Sequence, residues 1–107
     1  MTTMALFDWF KKADPVAPPV VPIDLVLYTR RDCHLCQEMK REIERAGASA
    51  GCVLREIDID SDPRLAELHG RSIPVLAIDG RIAFKGRLTA RELLRKVERA
   101  RRAKGRA

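Results

Sequence analysis

The chain has 107 residues, 46% of them hydrophobic, which supplies one modest core and excludes a second domain of similar size. Its formal net charge is +6, yet residues 1–90 carry thirteen basic and thirteen acidic side chains, and residues 91–107 carry eight basic ones against Glu92 and Glu98. The excess thus sits at one end of the chain, without interleaved aromatics, which disfavours nucleic acid as a partner. Three cysteines, two of them separated by only two residues, are not the framework of a disulfide-stapled secreted domain; with no apolar run near the roughly 20 residues of a membrane span, they point to a cytoplasmic chain.

In chain order, Met1 to Phe10 is apolar but short, with Asp8 in its middle and Lys11 and Lys12 after the apolar part, so it does not read as a signal peptide. Its Leu6, Phe7, Trp9 and Phe10 suit a short helix that packs on its own domain, stays mobile, or meets a membrane surface or a partner. Asp14 to Pro22 holds four prolines in nine residues, which removes backbone donors and favours an extended linker. These boundaries give an arm and linker over 1–22, a folded domain over 23–101 and a basic tail over 102–107.

Ile23 to Thr29 has the apolar run of a strand covered on both faces. Leu35, Met39, Ile43 and Ala46 recur at helical spacing among charged residues and predict an amphipathic helix ending near Gly47. Cys52 to Asp60 reads as a second strand, and Ser61-Asp62-Pro63 as the start of a short helix ending near Gly70. Asp79-Gly80 between Ile73–Ile78 and Arg81–Lys85 predicts a type I′ hairpin. Thr89 is a plausible cap for a last helix bearing Leu93, Leu94, Val97 and Ala100. The order βαβαββα predicts an α/β fold: a four-stranded mixed sheet flanked by three helices.

Cys33 and Cys36 carry the chemistry. A thiol attacks a disulfide only as thiolate, so a redox cysteine needs exposure and a lowered pKa. Cys33 falls between a strand and a helix start, where unpaired N–H groups and the helix dipole favour an anion. Arg30, Arg31 and Lys40 add positive charge, Asp32 opposes it, and His34 helps only when protonated or hydrogen-bonded to the sulfur. Cys36, one helical turn on, is closer to the interior and suited to resolve a mixed disulfide on Cys33.

The same pair also fits half of a zinc site, for which His34, His69 and Cys52 are poor additional ligands, or an iron–sulfur cluster shared between two copies. In either case, or as an adaptor, the domain binds or delivers without redox turnover. Cys52 reads as a small buried hydrophobe. Pro74 interrupts an apolar run; it is either a trans proline on an edge strand or a cis proline at a strand entrance.

Tyr28-Thr-Arg-Arg-Asp-Cys-His-Leu-Cys36 resembles the active-site stretch of glutaredoxins. Arg71-Ser-Ile-Pro-Val-Leu76 resembles the cis-proline stretch of thioredoxins and glutaredoxins. The resemblance spans about residues 23 to 101 and is nearest to small bacterial glutaredoxin-like proteins with a Cys-His-Leu-Cys site. It implies the thioredoxin fold and a dithiol oxidoreductase that needs no bound cofactor. Its partners are disulfide-containing proteins or small thiols, with glutathione or a flavin-dependent reductase as reductant. It further implies that Pro74 is cis and lies beside Cys33, that the Ile73 backbone pairs with an extended substrate, and that Arg30 meets a glutathione carboxylate. The chain departs from glutaredoxins at His34, where they have proline. It departs again at Lys85-Gly-Arg-Leu-Thr-Ala90, which lacks their Gly-Gly and acidic pair for the glutamyl end of glutathione.

Overall fold

A computed structural model describes residues 21–47 and 51–106; the aromatic segment before the linker and most of the linker itself lie outside them. β1 (Ile23–Thr29) leads into α1 (His34–Gly47), followed by β2 (Cys52–Asp58), a 3-10 turn (Ile59–Ser61) and α2 (Pro63–His69). β3 (Val75–Ile78), β4 (Arg81–Lys85) and α3 (Ala90–Arg106) complete the chain. The strands form one sheet in the order β2-β1-β3-β4. β2 runs parallel to β1, as two strands joined through a helix require, and β3 and β4 are antiparallel neighbours.

β1 is the central strand, and this explains its composition: it pairs with β2 from Ile23↔Cys52 to Thr29↔Asp58 and with β3 from Leu25↔Ile78 to Tyr28↔Val75. Ile23, Leu25 and Leu27 point to one face, where they join Leu76 and Ile78 of β3, Met39, Ile43 and Ala46 of α1, and Leu93 and Val97 of α3 in a single core. The opposite face carries Tyr28, whose ring centroid lies 4.5 Å from that of His69 at the end of α2. Helices thus cover both faces, two on one and one on the other.

Local chemistry sets the boundaries. Asp79 and Gly80 both adopt positive φ, 48° and 85°, as a type I′ turn demands. β2 stops at Asp58 instead of continuing to Asp60, because the Asp58 side chain accepts from the Asp60 N–H and its carbonyl accepts from the Ser61 hydroxyl, winding a turn that buries Ile59. Asp62 caps α2 by accepting from the Arg64 N–H at 2.9 Å. β3 begins at Val75, after Pro74, which has no amide to give a ladder. α3 runs on to Arg106, so residues 102–106, read from sequence as a tail, are helical.

α3 opens with a reciprocal cap. The Glu92 N–H donates to Thr89 Oγ1 at 3.1 Å, and the Thr89 N–H donates to Glu92 Oε1 at 3.0 Å, satisfying two donors the helix leaves unpaired. Thr89→Ala is expected to cost about 1 kcal/mol and to lower the melting temperature by roughly 4–8 °C. A thermal melt checks this, and an unchanged midpoint would show that packing alone holds the helix start.

Candidate active site

At the end of β1 the chain must turn from the sheet into α1, and Arg30-Arg31-Asp32 makes that turn with Asp32 at a φ of 57°. Asp is among the few residues that accept this conformation at modest cost. The turn delivers Cys33 to the position just before α1, where its carbonyl accepts from the Gln37 N–H at 3.2 Å. Its Sγ takes the place of a capping oxygen: the Cys36 N–H donates to it at 3.1 Å. Cys33 and Cys36 are joined in a disulfide with Cα atoms 5.1 Å apart. Cys33 is half-buried, whereas Cys36 is only 4% exposed.

A small cleft of about 240 Å³ beside the two cysteines is lined by Arg30, Arg31, Lys40 and Glu56 among others. Arg30 faces it but is engaged: Nε and Nη2 donate to the two carboxylate oxygens of Asp60 at 3.1 and 3.2 Å, a bidentate geometry that holds the guanidinium against the 3-10 turn. Lys40 Nζ donates to Glu56 Oε1 at 3.2 Å, tying α1 to β2. His34 is turned to solvent, with Nε2 3.5 Å from Glu38 of the next helical turn. Its partner is therefore a carboxylate and not the sulfur.

The Ile73–Pro74 peptide is cis, and the Pro74 carbonyl accepts from the Gly86 N–H at 2.7 Å. Because Tyr28 pairs with Val75, the segment ending in Ile73 and Pro74 sits at the same end of the sheet as the Cys33 turn. Gly86 brings the β4–α3 loop, with exposed Lys85 and Arg87, to that end as well. Cys52 pairs with Ile23 at the other end of β1, about 20 Å of strand away. Burial pushes its thiol above the ordinary value of 9.0, against the lowering influence of Arg101. Among the described residues no group of three or more His, Cys, Asp or Glu is placed to hold a metal ion, and no helix is long and apolar enough to cross a membrane.

Sequence reading did not find Glu56 or Asp60 as parts of the site. A signal for Glu56 was present: Cys52 and Leu54 face the core, and the strand period of two puts Glu56 on the same face, where it is paired with Leu27. Glu56 remains exposed at the rim of that face, where Lys40 of α1 pairs with it across the surface. Asp60 gave no such signal, since its meeting with Arg30 depends on the turn that ends β2.

The strand order, the helices on both faces and a Cys-x-x-Cys pair at a helix start define a thioredoxin-like fold with a dithiol site. The chain belongs to the family described as Glutaredoxin-like domain (DUF836), matched over residues 24–98. It is similar to the solved structure of protein XcR50 from X. campestris, at 30% identity and a TM-score of 0.61, over 70% of this chain and 96% of that one. Protein Ne2328 from Nitrosomonas europaea matches at 28% identity and 0.63, over 73% and 94%. A mutant thioredoxin from Halobacterium salinarum matches at 23% identity and 0.60, over 74% of each chain, a likeness of fold. No curated protein matches the sequence.

Proposed function

We propose that this protein is a thiol–disulfide oxidoreductase that reduces disulfides of proteins or small thiols, with Cys33 as nucleophile and Cys36 as resolving thiol. The observation that carries the reading is the Cys36 N–H donated to Cys33 Sγ at 3.1 Å. In the dithiol form the same donor and the helix dipole favour a thiolate on Cys33 and lower its pKa. Cys36, 4% exposed, lacks that solvation and stays protonated until it is needed.

Cys33 thiolate attacks one sulfur of the substrate disulfide; the other sulfur leaves as a thiolate and takes up a proton. Cys36 then loses its proton and attacks Cys33 Sγ, releasing the second substrate thiolate, which is protonated in turn. Two electrons have passed to the substrate and the protein disulfide remains. A reductant, glutathione or a flavin-dependent reductase in a reducing cytoplasmic setting, returns two electrons and two protons. The exchange itself calls for no bound cofactor. In this reading the Ile73 backbone and Pro74 flank an extended substrate, and Arg30 contributes positive field while held by Asp60. With Arg87 in the segment where glutaredoxins have an acidic pair, protein disulfides are better suited than glutathione to be the substrate.

Equilibration across glutathione redox buffers, with the state of each cysteine read by mass spectrometry, tests the proposal. A two-electron transition confined to Cys33 and Cys36 is expected. A pair that keeps one oxidation state across all ratios overturns it, and iron and sulfide in the purified protein would assign the thiolates to cluster binding instead.

A further inference from the structure

We propose that the outward face of α3 is a docking surface for an acidic, amphipathic segment of a partner protein. At about 100° per residue, Arg91, Arg95 and Arg102 fall within roughly 40° of one another, with Arg99 beside them. This is the side opposite the buried Leu93 and Val97. Over about 16 Å of helix these four guanidinium groups have no ion pair or hydrogen bond among the described residues. Of the carboxylates of the same helix, Glu92 accepts from the Thr89 N–H, and Glu98, although it borders the stripe, lies 3.6 Å from Arg101. Like charges one turn apart work against a helix, so a stripe that the described residues leave without a counter-charge is stabilised by an anionic partner.

The chemistry of the stripe selects the kind of anion. Arg91, Leu94, Arg95, Glu98 and Arg102 line a shallow groove of about 470 Å³. Leu94, 38% exposed, lies between arginines whose aliphatic stems extend the apolar floor. An apolar floor rimmed by planar guanidinium groups fits a segment that buries one or two aliphatic side chains and presents carboxylates for bidentate pairing. Glu98 in the rim adds a repulsive contact that spaces those carboxylates toward the arginines. A nucleic-acid strand matches the charge but leaves Leu94 unused, and the groove has no aromatic ring on which a base stacks.

The face also leads to the redox end of the molecule. α3 begins just after Gly86, which is bonded to Pro74, and exposed Arg87 continues the cationic track toward that end. A segment lying along α3 therefore brings its partner alongside Cys33, a consequence that rests on the oxidoreductase reading, whereas the docking itself does not.

The probe is a fluorescein-labelled synthetic helical peptide with leucine at every third or fourth position and glutamate on both flanks, its binding read by fluorescence anisotropy. The full-length protein is expected to bind it, more weakly as salt rises. Replacing Arg91, Arg95 and Arg102 together by Gln is expected to weaken binding by about tenfold or more, and Leu94→Ser to weaken it with charge unchanged. All the substituted positions are exposed, and circular dichroism verifies that α3 is retained. Equal binding by wild type and the triple variant overturns the proposal. So does an oligonucleotide of equal charge that binds more tightly through the same arginines. Reduction of the neutral 2-hydroxyethyl disulfide is expected to be the same in wild type and triple variant. Its absence from both would sink the oxidoreductase reading and leave the docking result standing.

Discussion

Replacing Cys33 with serine is expected to abolish disulfide reduction, a loss of at least roughly 10³-fold, whereas Cys36→Ser is expected to halt the reaction at a covalent adduct. The difference follows from where the two sulfurs sit. Cys33 receives the Cys36 N–H at the head of α1, the place at which negative charge is best solvated by backbone. A serine hydroxyl there forms no nucleophile at neutral pH, yet it remains a good capping residue. The variant therefore keeps its helix, and lost activity cannot be laid to lost structure. Cys36 meets the substrate only through Cys33, so its replacement traps the mixed disulfide, detectable as an added mass on the intact protein. Disulfides already mixed with glutathione are expected to remain substrates for Cys36→Ser, because free glutathione can replace the resolving thiol. Equal activity in the two variants would dismiss the division of roles.

The placement of the two sulfurs was legible from the sequence because it depends on local geometry. Two residues between cysteines at a helix start put one sulfur at the cap and the other one turn inside, whatever the rest of the chain does. The same holds for Asp79-Gly80, whose positive φ values need no tertiary context, and for the Met39, Ile43 and Ala46 stripe, which reports the face that α1 buries. Legibility failed where a side chain capped its own backbone against the strand pattern, or met a partner from another element. Asp58 caps the turn that ends β2 and so shortens a strand whose apolar alternation invites extension to Asp60. The same turn presents Asp60 to Arg30, which converts a residue read as free for substrate into one held by its own protein. The last helix exceeded its predicted end because arginine and lysine are good helix formers. A charge-rich end with few apolar residues looks like a tail when only the buried stripe is counted.

Leu25→Ala is expected to destabilise the fold by about 3 kcal/mol and to lower its melting temperature by roughly 15 °C. Leu25 is fully buried in the central strand, flanked in register by Leu54 and Ile78, and belongs to the one core that joins the sheet to α1 and α3. Truncation there removes apolar burial and leaves a cavity that paired strands on both sides prevent from closing. Val53, on the edge strand and 53% exposed, provides the contrast: Val53→Ala is expected to change stability by about 0.5 kcal/mol or less. Urea denaturation of both variants, with unchanged slopes, makes the comparison. Since total stability of a domain this size is of order 5–15 kcal/mol, the Leu25 variant remains mostly folded at room temperature. Cys33 is positioned by the turn after Thr29 and by the first turn of α1, so its exchange rate is expected to survive the cavity well below the melting transition. A rate that falls in step with stability would instead mean that the head of α1 is held in place by the core beneath it, and that packing helps to set the environment of the Cys33 sulfur.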